Sequence, residues 1–162
     1  MRKILVPGLV AAVTLALAVS LQSPVEAADH AAAGDITITA PWVRATPGGV
    51  KNGAAYATLS SAGAADRLVK VTSPAAGRVE LHNHFMEDGV MKMRPVDGVA
   101  VPAGGNVAFA PGGYHIMLLD IGHPFRVGET VPLTFVFEKA APISLDAPVE
   151  ASAPAASEHH QH

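Results

Sequence analysis

The 162-residue chain carries eight histidines, five methionines and no cysteine, and the side chains able to act together fall in two short stretches. The first reads Glu80-Leu81-His82-Asn83-His84-Phe85-Met86, turns at Glu87-Asp88-Gly89 and continues Val90-Met91-Lys92-Met93-Arg94; the second is Tyr114-His115-Ile116-Met117-Leu118. Alternate side chains of an extended strand share a face. His82, His84 and Met86 therefore point one way, Met91 and Met93 go together, and His115 and Met117 stand opposite Tyr114, Ile116 and Leu118. Three strand segments thus present imidazoles and thioethers in pairs, a donor set for a soft metal ion. A thioether is soft and neutral and suits Cu(I), while imidazole serves copper in either oxidation state. Zinc draws on cysteine, histidine and carboxylate and gains little from methionines. Neutral donors also leave the ion's charge uncompensated, which favours Cu(I) over Cu(II).

The hairpin register decides which histidine meets which methionine, and the residue pattern leaves it open. A two-residue turn at Asp88-Gly89 sets Met86 opposite Met91 and His84 opposite Met93, with His82 a diagonal neighbour. A wider turn brings His82 forward instead. On this pattern His82 and His84 are nearly equal candidates. Taken singly, a strand methionine is core filler, and His123, beside Pro124 in an expected turn, reads as a surface or hydrogen-bonded residue.

The elements that must position these groups are short strands. From about Asp35 to Lys139, turn chemistry recurs at Thr46-Pro47-Gly48-Gly49, Ser73-Pro74, Asp88-Gly89, Asp97-Gly98, Pro102-Ala103-Gly104-Gly105 and Pro111-Gly112-Gly113, with no long helical periodicity between. Strands are predicted near 35–40, 54–60, 67–72, 78–86, 90–94, 106–110, 114–121 and 131–138. Short strands at regular spacing with Gly and Pro turns predict an all-β sandwich or barrel, and the sandwich is favoured, with two sheets that bury each other's apolar faces across one core. Trp42, Arg44, Asn52 and Tyr56 are read as structural, the single tryptophan as a core or edge plug.

Both ends read differently from the middle. Arg2 and Lys3 precede an apolar run, Ile4 to Leu21, followed by the small-residue stretch Val25-Glu26-Ala27-Ala28, which predicts a signal peptide over 1–27 cut near Ala27. The mature protein is then exported, a copper-binding domain spans 28–139, and no stable membrane insertion survives processing. Residues 140–162, rich in alanine, proline and serine, predict a disordered tail. A formal net charge of -3 without a basic stripe argues against nucleic acid as a partner. Cleavage after Ala27 makes His30 the third mature residue, where an amine, two amides and an imidazole offer Cu(II) a square plane. No nucleophile and base arrangement stands out, so the chain is not expected to be an enzyme.

The spacing His82, ten residues, Met93, twenty-one residues, His115, one residue, Met117 resembles the motif of the periplasmic copper chaperones called PCu(A)C, as do Gly89 to Pro95 and Pro111 to Leu118 around it. The resemblance spans about Ile36 to Lys139. It implies a cupredoxin-like antiparallel β-sandwich of Greek-key type binding Cu(I) through His82, Met93, His115 and Met117, with His84, Met86 and Met91 as secondary or capture residues. It resolves the register question in favour of His82. It also implies a monomer in the periplasm that serves the dinuclear copper centre of cytochrome c oxidase, with the oxidase subunit or another periplasmic copper chaperone as partner. Copper resistance or storage without a dedicated acceptor is the alternative. Similar proteins can carry a histidine-rich C-terminal extension for a further copper, often Cu(II), and His159, His160 and His162 fit that description. Blue-copper electron transfer is excluded, because it needs a cysteine thiolate.

Overall fold

The computed structural model describes residues 30–151, all of it strands, turns and loops. Eleven strands follow in chain order: β1 His30–Ala33, β2 Ile36–Arg44, β3 Asn52–Ser61, β4 Asp66–Thr72, β5 Ala76–Glu87, β6 Val90–Pro95, β7 Val99–Val101, β8 Asn106–Phe109, β9 His115–Ile121, β10 Thr130–Phe137 and β11 Ile143–Glu150. All eight strands expected from the sequence are present; β1, β7 and β11 are additional. The predicted signal peptide, the cleavage site and His159, His160 and His162 lie outside the described residues.

One half of the molecule runs β6-β5-β9-β3-β2, with β1 beside β2 and β8 beside β3; the other runs β11-β10-β4-β7. Alternation explains why these segments are strands that pack face to face. Ile36 and Ile38 of β2, Ile116 and Leu118 of β9, Leu68 of β4, and Val131, Leu133, Phe135 and Phe137 of β10 all enter one core drawn from both halves. The halves are stitched by a short parallel pairing of β11 with β2, Val149 to Val43 and Glu150 to Arg44. This ladder departs from the wholly antiparallel sandwich expected. It follows a break in β2, where the register shifts between Thr39 and Trp42 and Ala40 takes a positive φ of 46°.

The tail expected from residue 140 is corrected. Ile143, Leu145, Ala147 and Val149 are buried in alternation, and β11 pairs antiparallel with β10 over six residues, Thr130 to Phe135. The domain therefore continues to Glu150. Four apolar side chains on one face, and a sheet edge that needs a partner, outweigh the alanine and proline content.

Two local features position the histidines. The β5–β6 hairpin closes through Asp88 and Gly89, both at positive φ, 53° and 76°, the pair of left-handed residues that a two-residue type I′ turn requires. Along one edge of β3, β8 pairs over 57–60 and β9 over 52–55, and residues 110–114 form a five-residue excursion between them. Hydrogen bonds from Ala110 N to Tyr114 O and from Gly113 N to Ala110 O close that excursion, with Gly112 at φ 87°. Its last glycine is thereby set against the start of β9.

Candidate metal centre

The strand order β6-β5-β9 makes the three histidine and methionine segments neighbours. The register sets His84 opposite Met93 and Met86 opposite Met91 on the hairpin, and His82 opposite His115 and Glu80 opposite Met117 across β5 and β9. This is the pairing expected of the two-residue turn, with His82 diagonal to Met93. Directly opposed residues share a face. All of these side chains therefore stand on the outer face of the sheet, because Leu81, Ile116 and Leu118 point into the core.

His115 is the centre of the group. It is only 4% exposed, with the His84 ring 4.9 Å away and the His82 ring 5.7 Å away. Its Nδ1 lies 2.9 Å from the Gly113 carbonyl. A carbonyl only accepts, so Nδ1 carries the proton and Nε2 keeps its lone pair. That Nε2 lies 2.8 Å from Met93 Sδ, so an imidazole donor and a thioether donor converge from two strands. Burial lowers the pKa of His115, the Gly113 bond raises it, and the facing His84 and His82 lower it further; the net shift is downward. The ring is held neutral, the form that binds metal.

His82 is oriented from the other side. Its Nε2 lies 2.8 Å from a Glu80 carboxylate oxygen, which only accepts, so Nε2 is the donor and, in the neutral ring, Nδ1 holds the lone pair. That Nδ1 is buried and is the side-chain atom found without a hydrogen-bond partner among the described residues. A buried nitrogen without a partner is costly unless something else occupies its lone pair. The His82 hydrogen bond pulls the pKa of Glu80 down, burial opposes it, and the nearby Arg78 lowers it further, for a net downward shift; the Arg78 guanidinium is 3.1 Å away.

Met93 is 47% exposed, so the cluster opens to solvent through its thioether. Met117 is half-buried on β9, beside Glu80 in register. His84 sends Nδ1 toward the same Gly113 carbonyl at 3.3 Å. Among the described residues no group of three or more His, Asp or Glu side chains is placed to hold a metal ion; the donors that converge here include the Met93 thioether. A surface hollow of about 400 Å³ near Asp35, Ser61, Asp66 and Lys139 contains none of these donors. Donor convergence, not volume, marks the site.

His30 opens β1 opposite Thr39 and is exposed; β3 and β9 separate its partner strand from β5, so it does not join the cluster. Trp42 and Tyr56 are buried but lie outside the core cluster. They stack at 4.5 Å on the outer face under Arg44, whose guanidinium carbon is 5.8 Å and 5.6 Å from the two rings. Sequence reasoning passed over Glu80 and Gly113. Glu80 could have been found from the period of two that puts it on the face of His82, whereas a carbonyl direction has no sequence signal.

A family model described as "Putative lipoprotein LpqE-like" matches residues 36–149. "Putative lipoprotein Lxx21020" of Leifsonia xyli subsp. xyli is 29% identical over 136 residues, 83% of this chain and 78% of that protein. Protein RP573 of Rickettsia prowazekii is 36% identical over 120 residues, 71% of this chain and 62% of that protein. The solved structure "Copper-bound PCuAC domain from PmoF2" superposes with a TM-score of 0.65 at 32% identity, covering 77% of this chain and 98% of that one. "Solution structure of CuI-DR1885 from Deinococcus radiodurans" gives a TM-score of 0.51 at 28% identity, covering 82% and 85%.

Proposed function

This chain belongs to the LpqE-like family and has a PCuAC-type fold, and from that premise we propose that it is a copper chaperone of the periplasm whose cargo is Cu(I), held by His82, Met93, His115 and Met117. The observation that carries the proposal is the donor arrangement: a buried His82 Nδ1 without a partner, and a His115 Nε2 freed by Gly113 and aimed at Met93 Sδ. Each lone pair is exposed by a second group that anchors the opposite ring nitrogen, the way histidines are prepared for a metal. Two neutral imidazoles and two thioethers suit Cu(I) over zinc or Cu(II).

The same face supports release. His115 is buried while Met93 stands in solvent, so an incoming ligand reaches the ion from the Met93 side before the histidines let go. The acceptor in this proposal is the dinuclear copper centre of cytochrome c oxidase, directly or through another periplasmic copper chaperone, and the protein acts as an exported monomer without catalysis of its own. His159, His160 and His162 are proposed to capture Cu(II), as is His30 if processing leaves it third in the mature chain.

Cu(I) binding under a competing chelator tests the core site. His115→Ala and Met93→Leu should each lower affinity by at least about tenfold, the scale on which lost metal-site interactions are felt. Affinity unchanged in both variants would refute the ligand set. Transfer to an isolated oxidase copper domain, in preference to the chelator, separates chaperoning from storage.

A further inference from the structure

The hairpin that carries Met93 ends in two more thioethers that the core site does not use. Met86 and Met91 are directly opposed across β5 and β6. In a two-residue hairpin, opposed pairs alternate outward from the turn. Glu87 and Val90 form the hydrogen-bonded pair, so Met86 with Met91, and His84 with Met93, occupy the non-hydrogen-bonded positions where side chains come closest. These two pairs are consecutive on one face, leading from the hairpin tip to His115.

Packing does not explain the methionines at the tip. Met86 is 67% exposed and Met91 58% exposed, whereas methionine is ordinarily used to fill cores. The opposite face of the hairpin is ionic: Glu87 pairs with Lys92 at 2.8 Å and with Arg94. The hairpin therefore keeps charged groups on one side and soft, neutral donors on the other. The ion pairs and the turn at Asp88-Gly89 hold the tip while leaving its thioethers in water.

We propose that Met86 and Met91, with His84 as the adjoining imidazole, form a second, solvent-facing position for Cu(I) at the hairpin tip, through which the ion enters and leaves the core site. It rests on the core site proposed above. Two thioethers suit Cu(I), which accepts low coordination numbers, and they discriminate against hard cations. Such a position binds more weakly than the core. A weak, exposed position one residue pair away from Met93 gives a partner's ligands a place to engage the ion without displacing buried histidines.

The chain's methionines are themselves the reporters. With ¹³C-methyl methionine in the full-length protein, Cu(I) added anaerobically is followed by NMR, the methyls being assigned by single Met→Leu variants. The first equivalent should shift the Met93 and Met117 methyls, and further Cu(I) should shift those of Met86 and Met91. A Met86→Leu/Met91→Leu double variant should keep the first equivalent, lose the second response and transfer copper to a chelator several-fold more slowly. Shifts at Met93 and Met117 alone, with transfer unchanged in the double variant, would overturn the tip position and leave the core site intact. Shifts at Met86 and Met91 alone would place copper at the tip but overturn the core ligand set, and with it the tip's role as the way into that site. A silent set of methyls would overturn both.

Discussion

A lone pair becomes a ligand here through its neighbours. His115 is prepared by the Gly113 carbonyl and His82 by the Glu80 carboxylate, each accepting a hydrogen bond from the ring nitrogen not wanted for metal. Glu80→Gln should keep the fold and lower Cu(I) affinity by about tenfold or more, because an amide can turn its NH₂ toward His82 and no longer selects the tautomer. Competition titration of wild type and variant measures this, and equal affinities would remove Glu80 from the site. The four proposed ligands were legible as residue types at a spacing, and the face-sharing of His115 with Met117 followed from a period of two. The choice between His82 and His84 was not legible in the strand pattern, and only the family resemblance favoured His82. The structure puts both rings near His115, 5.7 Å and 4.9 Å away, and what sets His82 apart is its anchored Nε2 and unpartnered Nδ1.

Elements differ in how plainly local chemistry announces them. Asp88-Gly89 specified its turn because few other residue pairs accept two positive φ angles, and β5 and β6 follow from it. By contrast β11 was hidden. Its alternation of Ile143, Leu145, Ala147 and Val149 is as regular as that of β10, but Pro148 and the alanines around it read as a tail, and its partners lie far away in sequence in β2 and nearby in β10. A second long-range tie secures the other half. Asp66 at the start of β4 accepts the backbone N–H groups of Arg67, Lys139 and Ala140 at 2.7, 3.0 and 2.8 Å. Burial raises the pKa of this carboxyl, yet the three N–H groups and Lys139 more than offset it, so the folded value lies below the ordinary 3.8. A depressed folded pKa means the contribution is full above the unfolded value and is lost as pH falls through the folded one. Asp66→Asn should cost about 1–2 kcal/mol at neutral pH. That difference should shrink below pH 3.8, as read by denaturant titrations at several pH values. A difference that stays constant with pH would mean the carboxylate charge plays no part.

At the scale of the whole molecule, a two-half β-sandwich supports the donors on the outer face of one half, backed by Leu81, Ile116 and Leu118 in the core. Because β11 stitches the halves, a chain ending at Lys139 should lose cooperative unfolding, whereas one ending at Ala151 should unfold like the full chain; thermal denaturation distinguishes them, and a cooperative transition in the shorter chain would contradict the role given to β11. The fold class was legible because turns recur at strand spacing, while the parallel joint between β2 and β11 was not, since it depends on a break at Ala40. The central claim concerns which atoms hold copper. X-ray absorption of the full-length protein loaded with one equivalent of Cu(I) reads them directly: a shell of both nitrogen and sulfur is expected, with the sulfur contribution reduced in Met93→Leu, and a shell of nitrogen and oxygen alone would contradict the His82, Met93, His115 and Met117 site.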